Sequence, residues 1–272
     1  DGSPFMVDIN LKPGATVHSR AYRVNQNWLP YVEKKLKSME EQGLISPCPA
    51  SRFSSSLHCV PKQSPTDPVR LTVDYRKLNQ RIEDYCYPLK TAEDIFNRMG
   101  GSDTYTVIDF KHWFHQFMLS EASRECTTFV TPTMGAYCWN RLAMGLNISP
   151  AIVQSKIDEI FRVTYDGPGP KHGMLAIGNV VDTYTDDLIC HSCEAEHAGV
   201  VAWVIKRLRA FNIQADPKKA FIGRKSVHFL GHFLDGRGLH TDPDKIAALR
   251  DMPPPTDTAG VRRFMGFTGY YR

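Results

Sequence analysis

The chain has no long hydrophobic run. Its best apolar stretch, Leu175 to Val181, falls far short of the ~20 residues a membrane-spanning helix needs, and Asn179 interrupts it. A helical membrane protein is therefore excluded. Nor is there an excess of one charge: 33 basic against 29 acidic residues leave +4 over 272 residues. That permits a nucleic-acid partner without the strongly basic signature that would argue for one. Repeats and low-complexity tracts are absent. With 42% hydrophobic and 23% charged residues, the composition rules out a disordered tail, a collagen-like fibre and a small disulfide scaffold. The length suits a sizeable core that divides into sub-domains.

Paired cysteines are also lacking. The seven are scattered and odd in number, which suits a reducing compartment better than a disulfide framework. Cys190-His-Ser-Cys193 has metal-ligand spacing but no matching second pair, so it reads as the end of a strand. No basic n-region or apolar h-region follows Asp1, and no stop signal follows Tyr270-Tyr271-Arg272. The expectation is a segment of a longer polypeptide, not secreted and without membrane contact.

Elements follow from spacing. Val32, Leu36 and Met39 share one face of a helix from Pro30 to Gln42, stopped by Gly43. Leu57 to Val60 and Arg70 to Asp74 read as a hairpin with its tip at Ser64 to Pro68. Thr91-Ala-Glu-Asp94 opens a helix that ends at Gly100-Gly101, and Thr104 to Phe110 is a buried strand. Phe129 to Arg141 is a hairpin turning near Met134-Gly135. Ser149-Pro150 opens a helix with Val153, Ile157, Ile160 and Phe161 inward, and Glu194 to Phe211 is another. Val227 to Leu234 reads as one strand closed by Asp235-Gly236. Strands alternating with helices and several hairpins predict an α+β protein with an antiparallel sheet.

Chemistry concentrates in carboxylates. Asp186 and Asp187 sit between the apolar segments Val180-Val181 and Leu188-Ile189-Cys190, the pattern of a hairpin turn. Asp109 ends a different apolar strand. Adjacent like charges are costly unless a cation neutralises them, and three converging acids suit a two-metal site for phosphoryl transfer. Taken alone, an Asp pair in a turn also serves simply to solvate it. No Asp-x-Asp-x-Asp-Gly calcium loop and no Asp-Thr-Gly or Asp-Ser-Gly protease motif is present.

Tyr184-Thr-Asp-Asp187 resembles the Tyr-x-Asp-Asp box of reverse transcriptases, with Asp109 as the first palm aspartate. The wider pattern is similar to the reverse transcriptase domain of gypsy-type (Metaviridae-like) long-terminal-repeat retrotransposons. Val73-Asp-Tyr-Arg-Lys-Leu-Asn79 with Tyr87-Pro-Leu89, Gly145-Leu-Asn-Ile-Ser-Pro-Ala151 with Gln154, Phe229-Leu-Gly-His232 and Gly266 to Arg272 occur in family order.

The resemblance implies a right-hand polymerase: fingers over 1–90 and 125–150, palm over 91–124 and 151–240, and a truncated thumb over 241–272. It implies Asp109, Asp186 and Asp187 as catalytic metal ligands for two Mg²⁺, with Mn²⁺ as substitute. Lys62, Arg70, Met144, Gln154 and Lys219 would face the nucleotide, Phe114 would be the steric gate, and Phe229, Leu230, Gly231 and His232 the primer grip. Partners would be an RNA or DNA template with primer, dNTPs and a downstream RNase H domain. The family copies inside cytoplasmic particles or acts in the nucleus. The aromatics Trp28, Trp113, Trp139, Tyr270 and Tyr271 could stack on bases, although such residues more often belong to a core.

Departures from the family pattern are Trp113 where a small residue precedes the gate, Ala143-Met144-Gly145 in the pocket loop, Thr185 in the box, and a Gly-rich Asp166 to Asn179. An indole at 113 could fill the nucleotide pocket. The competing expectation is therefore a catalytically impaired, domesticated module that binds nucleic acid or protein. A palm-type cyclase or two-metal nuclease would use the three acids, but not Lys62, Arg70 and Phe229 to His232.

Overall fold

Strand pairing does most of the organising. The computed structural model describes residues 5–64, 66–241 and 243–269. These form two compact units, one of residues 5–89, 110–161 and 207–215, the other of 90–109, 162–206 and 216–269.

The first unit is built on a five-stranded sheet ordered Ile45–Pro47, Ala136–Trp139, Phe129–Val130, Ser55–Pro61, Val69–Asp74. Ser55–Pro61 and Val69–Asp74 pair antiparallel as expected; Pro65 in their tip lies outside the described residues. The Phe129 hairpin also forms, its tip held by Thr131, whose Oγ1 donates to the Gly135 carbonyl at 2.8 Å. This sheet is not purely antiparallel, because Ser55-Ser56 runs parallel to Phe129-Val130. The helix Leu29–Glu41 buries Val32 and Leu36 and ends ahead of Gly43, whose φ of +66° suits glycine.

The second unit carries a four-stranded antiparallel sheet ordered Phe221–Arg224, Thr104–Asp109, Asp187–Ser192, Val181–Tyr184. The helix Ala92–Arg98 opens on a complete capping box, Thr91 and Asp94 each bonding the other's backbone N–H. Ile95 and Met99 pack with Tyr105, Val107 and Ile189 from the sheet and with Val227, Phe229 and Leu234. The expected single strand Val227 to Leu234 is a hairpin instead, Ser226–Phe229 with His232–Asp235. Leu230 and Gly231 turn it with φ of +47° and +70°, and leucine gives no turn signal. The Asp235-Gly236 turn also forms, adding the strand Gly238–Thr241. The helix Glu194–Ala210 buries Val201, Val204 and Leu208 but stops one residue before Phe211, which stacks on Phe5 at 5.4 Å.

Candidate active site

The three acids sit where two strands end. Asp109 lies opposite Asp187 in the antiparallel ladder, and Asp187 in turn pairs with Tyr184 across a two-residue turn of Thr185 and Asp186. The apolar runs Thr104–Ile108 and Leu188–Cys190 are buried on both faces, so the sheet carries the carboxylates at its rim on a rigid base. The turn costs strain: Thr185 is β-branched yet adopts φ +50°. Its hydroxyl donates to Asp186 Oδ1 at 2.8 Å.

Electrostatics at this rim are dominated by one sign. Burial first, then the charges of Asp186 and Asp109, push the Asp187 carboxyl up to about 6, with Lys219 opposing. The compensating charge comes from the loop after Ala215. The Asp216 amide donates to the Asp109 carbonyl at 2.8 Å, and Asp216-Pro217-Lys218-Lys219 then turns back. Lys219 Nζ thereby reaches Asp109 Oδ1 and Oδ2 at 3.1 and 3.2 Å. That contact raises the lysine's pKa.

A divalent cation is the other way to balance these charges. Among the described residues, no three His, Cys, Asp or Glu side chains are already gathered tightly enough to grip one. The donor chemistry nevertheless fits: three carboxylates offer hard oxygens, and Asp109 is held by a displaceable, exposed lysine.

A cavity of about 420 Å³ adjoins this rim, lined by Asp109, Asp187, Lys219, His228, Phe229 and Leu230. Asp109 and Asp187 thus share one space with Phe229 and Leu230. His232, just beyond it in sequence, has its Nδ1 near the Leu230 carbonyl at 2.9 Å and Phe96 edge-on at 5.1 Å.

The remaining expected residues belong to the first unit. Lys62, near the hairpin tip, is paired with Asp67 at 2.6 Å, and Asp67 is also held by Lys35 at 2.5 Å. Arg70 is exposed opposite Val60. Met144 is 54% exposed, whereas Gln154 is buried and donates to Asp158 Oδ1 at 2.8 Å. Asp158 also accepts from the Tyr87 hydroxyl at 2.8 Å. Phe114 is half-buried. Trp113 does not project into open space. It is 4% exposed, stacked on Phe110 at 4.2 Å and edge-on to Phe117 at 5.1 Å. Trp139 is likewise buried; Trp28 is half-buried, while Tyr270 and Tyr271 lie outside the described residues.

Two motifs far apart in sequence meet at Asn79. Its Nδ2 donates to the Gly145 carbonyl at 3.0 Å, and its Oδ1 accepts from the Asn147 amide at 3.1 Å. Sequence reading missed Asp182, a fully buried acid two residues before Tyr184. Arg98 and His191 each approach it to 3.6 Å and Lys90 to 3.9 Å. The available signal was a lone acid inside the apolar run Val180 to Thr183.

Comparison with known proteins gives the family and the fold. Residues 60–234 match the family described as reverse transcriptase (RNA-dependent DNA polymerase). The chain is 28% identical over 273 residues to the retrovirus-related Pol polyprotein from transposon 412 of Drosophila melanogaster, covering 98% of this chain and 21% of that one. It is 31% identical over 268 residues to that from transposon 297, and 30% over 262 residues to that from transposon gypsy, both of D. melanogaster. These alignments cover 97% and 94% of this chain and 24% of each relative. The chain thus spans about a fifth to a quarter of the curated relatives it matches. The fold is that of the foamy viral protease-reverse transcriptase solved with an RNA/DNA hybrid, with a TM-score of 0.81 at 19% identity over 99% of this chain and 34% of that one.

Proposed function

Because this chain belongs to the reverse transcriptase family, within the gypsy-type retroelement polyproteins, we propose that it extends a primer 3′-hydroxyl with dNTPs on an RNA or DNA template. The observation that carries this is the rung that sets Asp109 against Asp187, with Asp186 at the adjoining turn. Asp109, Asp186 and Asp187 would hold two divalent cations, Mg²⁺ or in its place Mn²⁺, whose chemistry when bound is to acidify the attacking hydroxyl and neutralise the departing pyrophosphate.

The chain's own residues do the binding and orienting. Lys219 supplies Asp109 with a counter-charge at 3.1 Å, which a divalent cation would replace. Lys62 and Arg70 grip the β- and γ-phosphates, the lysine as a point charge and the guanidinium as a bidentate fork. Phe114 excludes a ribose 2′-hydroxyl, with Met144 and Gln154 shaping the pocket. Phe229 to His232 hold the primer end, with Phe229 and Leu230 lining the cavity that Asp109 and Asp187 also line. In this reading 1–90 and 125–150 serve as fingers, 91–124 and 151–240 as palm, and 241–272 as part of a thumb. A downstream RNase H domain and residence in a cytoplasmic particle or the nucleus complete it. The stacking of Trp113 on Phe110 and its edge-on contact with Phe117 support the catalytic reading over a non-catalytic module.

Primer extension on RNA and DNA templates tests the proposal. Extension that needs Mg²⁺ or Mn²⁺ and stops when either is chelated is expected. Extension that persists in chelator would sink the metal-dependent mechanism.

A further inference from the structure

The edge strand Phe221–Arg224 lacks the usual supports of a strand. All four of its residues are exposed, so core packing contributes little to its place. Phe221 pairs with Val107 and Arg224 with Tyr105, and the strand takes one extra residue between them. Such a bulge leaves a backbone N–H without a ladder partner. Here the N–H of Gly223, a residue with φ of +60°, donates at 3.0 Å to the hydroxyl of Thr106, which lies between Tyr105 and Val107. Lys225 Nζ also reaches Thr104 Oγ1 at 3.0 Å, but from an exposed side chain.

Thr106 is itself one link in a buried chain. Its Oγ1 lies 2.7 Å from His197 Nε2, and His197 Nδ1 lies 2.8 Å from Ser192 Oγ. Thr106 and Ser192 have no exposed surface, and His197 has only 4%. Counting protons gives the chain a direction. The single hydroxyl proton of Ser192 goes to the Cys193 carbonyl at 3.2 Å, so Ser192 Oγ accepts and His197 Nδ1 carries hydrogen. Burial first, then the neighbouring His191, lowers the pKa of this imidazole, with Asp103 opposing and Lys225 assisting. A neutral ring protonated at Nδ1 presents a lone pair at Nε2. The Thr106 hydroxyl therefore donates to His197 and keeps its own lone pairs for Gly223.

We infer that His197 is a positioning residue: as the Nδ1–H tautomer it turns the Thr106 hydroxyl so that Thr106 holds the bulged edge strand through Gly223. Both ends of that strand lead to the acid site. Lys219, paired with Asp109, stands just before it, and Ser226–Phe229 follows it, bringing Phe229 and Leu230 to the cavity wall. The consequence for catalysis rests on the polymerase reading; the hydrogen-bond chain does not. With the strand loosened, Lys219 and Phe229 lose a common support, and a primer end placed there is misaligned while nucleotide contacts elsewhere are unchanged.

Long-range ¹H–¹⁵N spectra of the wild-type chain near pH 7, without template, metal or dNTP, should show His197 protonated at Nδ1 and bare at Nε2. Thr106→Val keeps the shape of the side chain but removes the hydroxyl, whereas Thr106→Ser retains it. Amide exchange at Gly223 should quicken about tenfold in the valine variant and stay near wild type in the serine variant. Single-turnover primer extension should slow about tenfold in the valine variant alone, with the half-saturating dNTP concentration unchanged. Circular dichroism melts establish that both variants are folded; if valine is not tolerated, the wild-type tautomer and the wild-type protection of the Gly223 amide decide. An Nε2–H or doubly protonated ring overturns the inference. So does Gly223 exchange indifferent to the valine change, or equal slowing of extension in both variants. A wild-type chain that extends no primer overturns the polymerase reading instead, and the spectra and the exchange still decide the hydrogen-bond chain.

Discussion

Asp187 faces Asp109 across a ladder rung and is followed by buried Leu188, so its charge is both crowded and partly desolvated. Such single-residue effects set most of the chemistry here, and they were unevenly legible. Asp109, Asp186 and Asp187 stood out because acids at the ends of apolar strands have few structural uses. Asp182 did not, because its partners Lys90, Arg98 and His191 are scattered along the chain and only folding gathers them. Removing it leaves two cations in a site built for three charges. Asp182→Ala should cost about 3 kcal/mol or more in urea denaturation, whereas a change under 1 kcal/mol would mean the cations find water. His115 gives a pH prediction. Burial holds its folded value at about 4, below its ordinary 6.5, so the stability it confers is present above 6.5 and lost as pH falls toward 4. His115→Phe keeps the stack on Trp139, 4.9 Å away, but not the proton. Between pH 7.5 and 5 the wild type should lose about 2 kcal/mol more than the variant; parallel pH curves would contradict the burial argument.

Elements were legible where turn chemistry is local. The Ser55–Pro61 hairpin, the Phe129 hairpin and the Thr91 capping box each announce themselves within a few residues. Elements defined by partners were not. Phe221–Arg224 is an edge strand with all four residues exposed, so it shows no alternation, and its pairing with Thr104–Asp109 is long-range. The Leu230-Gly231 turn was hidden for another reason: leucine occupies a left-handed position better suited to glycine or asparagine. Thr185 does the same at the acidic hairpin, where strain is retained beside Asp186 and Asp187. Thr185→Gly should therefore raise stability by about 1 kcal/mol in chemical denaturation while lowering the rate of primer extension. A destabilised variant would show that the Thr185 hydroxyl on Asp186 outweighs the backbone strain.

For the molecule as a whole, collinearity carried more than any element. Fingers-like, pocket-loop, aspartate and grip-like segments fall in the order of gypsy-type retroelements, and residues 60–234 match the reverse transcriptase family. Spatial logic then adds what order alone lacks: Asn79 ties the first motif to the pocket loop, and one cavity joins Asp109 and Asp187 to Phe229 and Leu230. What order could not supply was the fate of Trp113, since an indole beside a nucleotide pocket and an indole in an aromatic core share one sequence. The most direct test of the central claim compares wild type with Asp186→Asn in single-turnover primer extension with Mg²⁺, with template-primer binding measured alongside. The account predicts incorporation by wild type and a loss of at least a thousandfold in the variant, with binding changed less than severalfold. Equal rates, or no incorporation by a wild-type chain that binds template-primer, would contradict it.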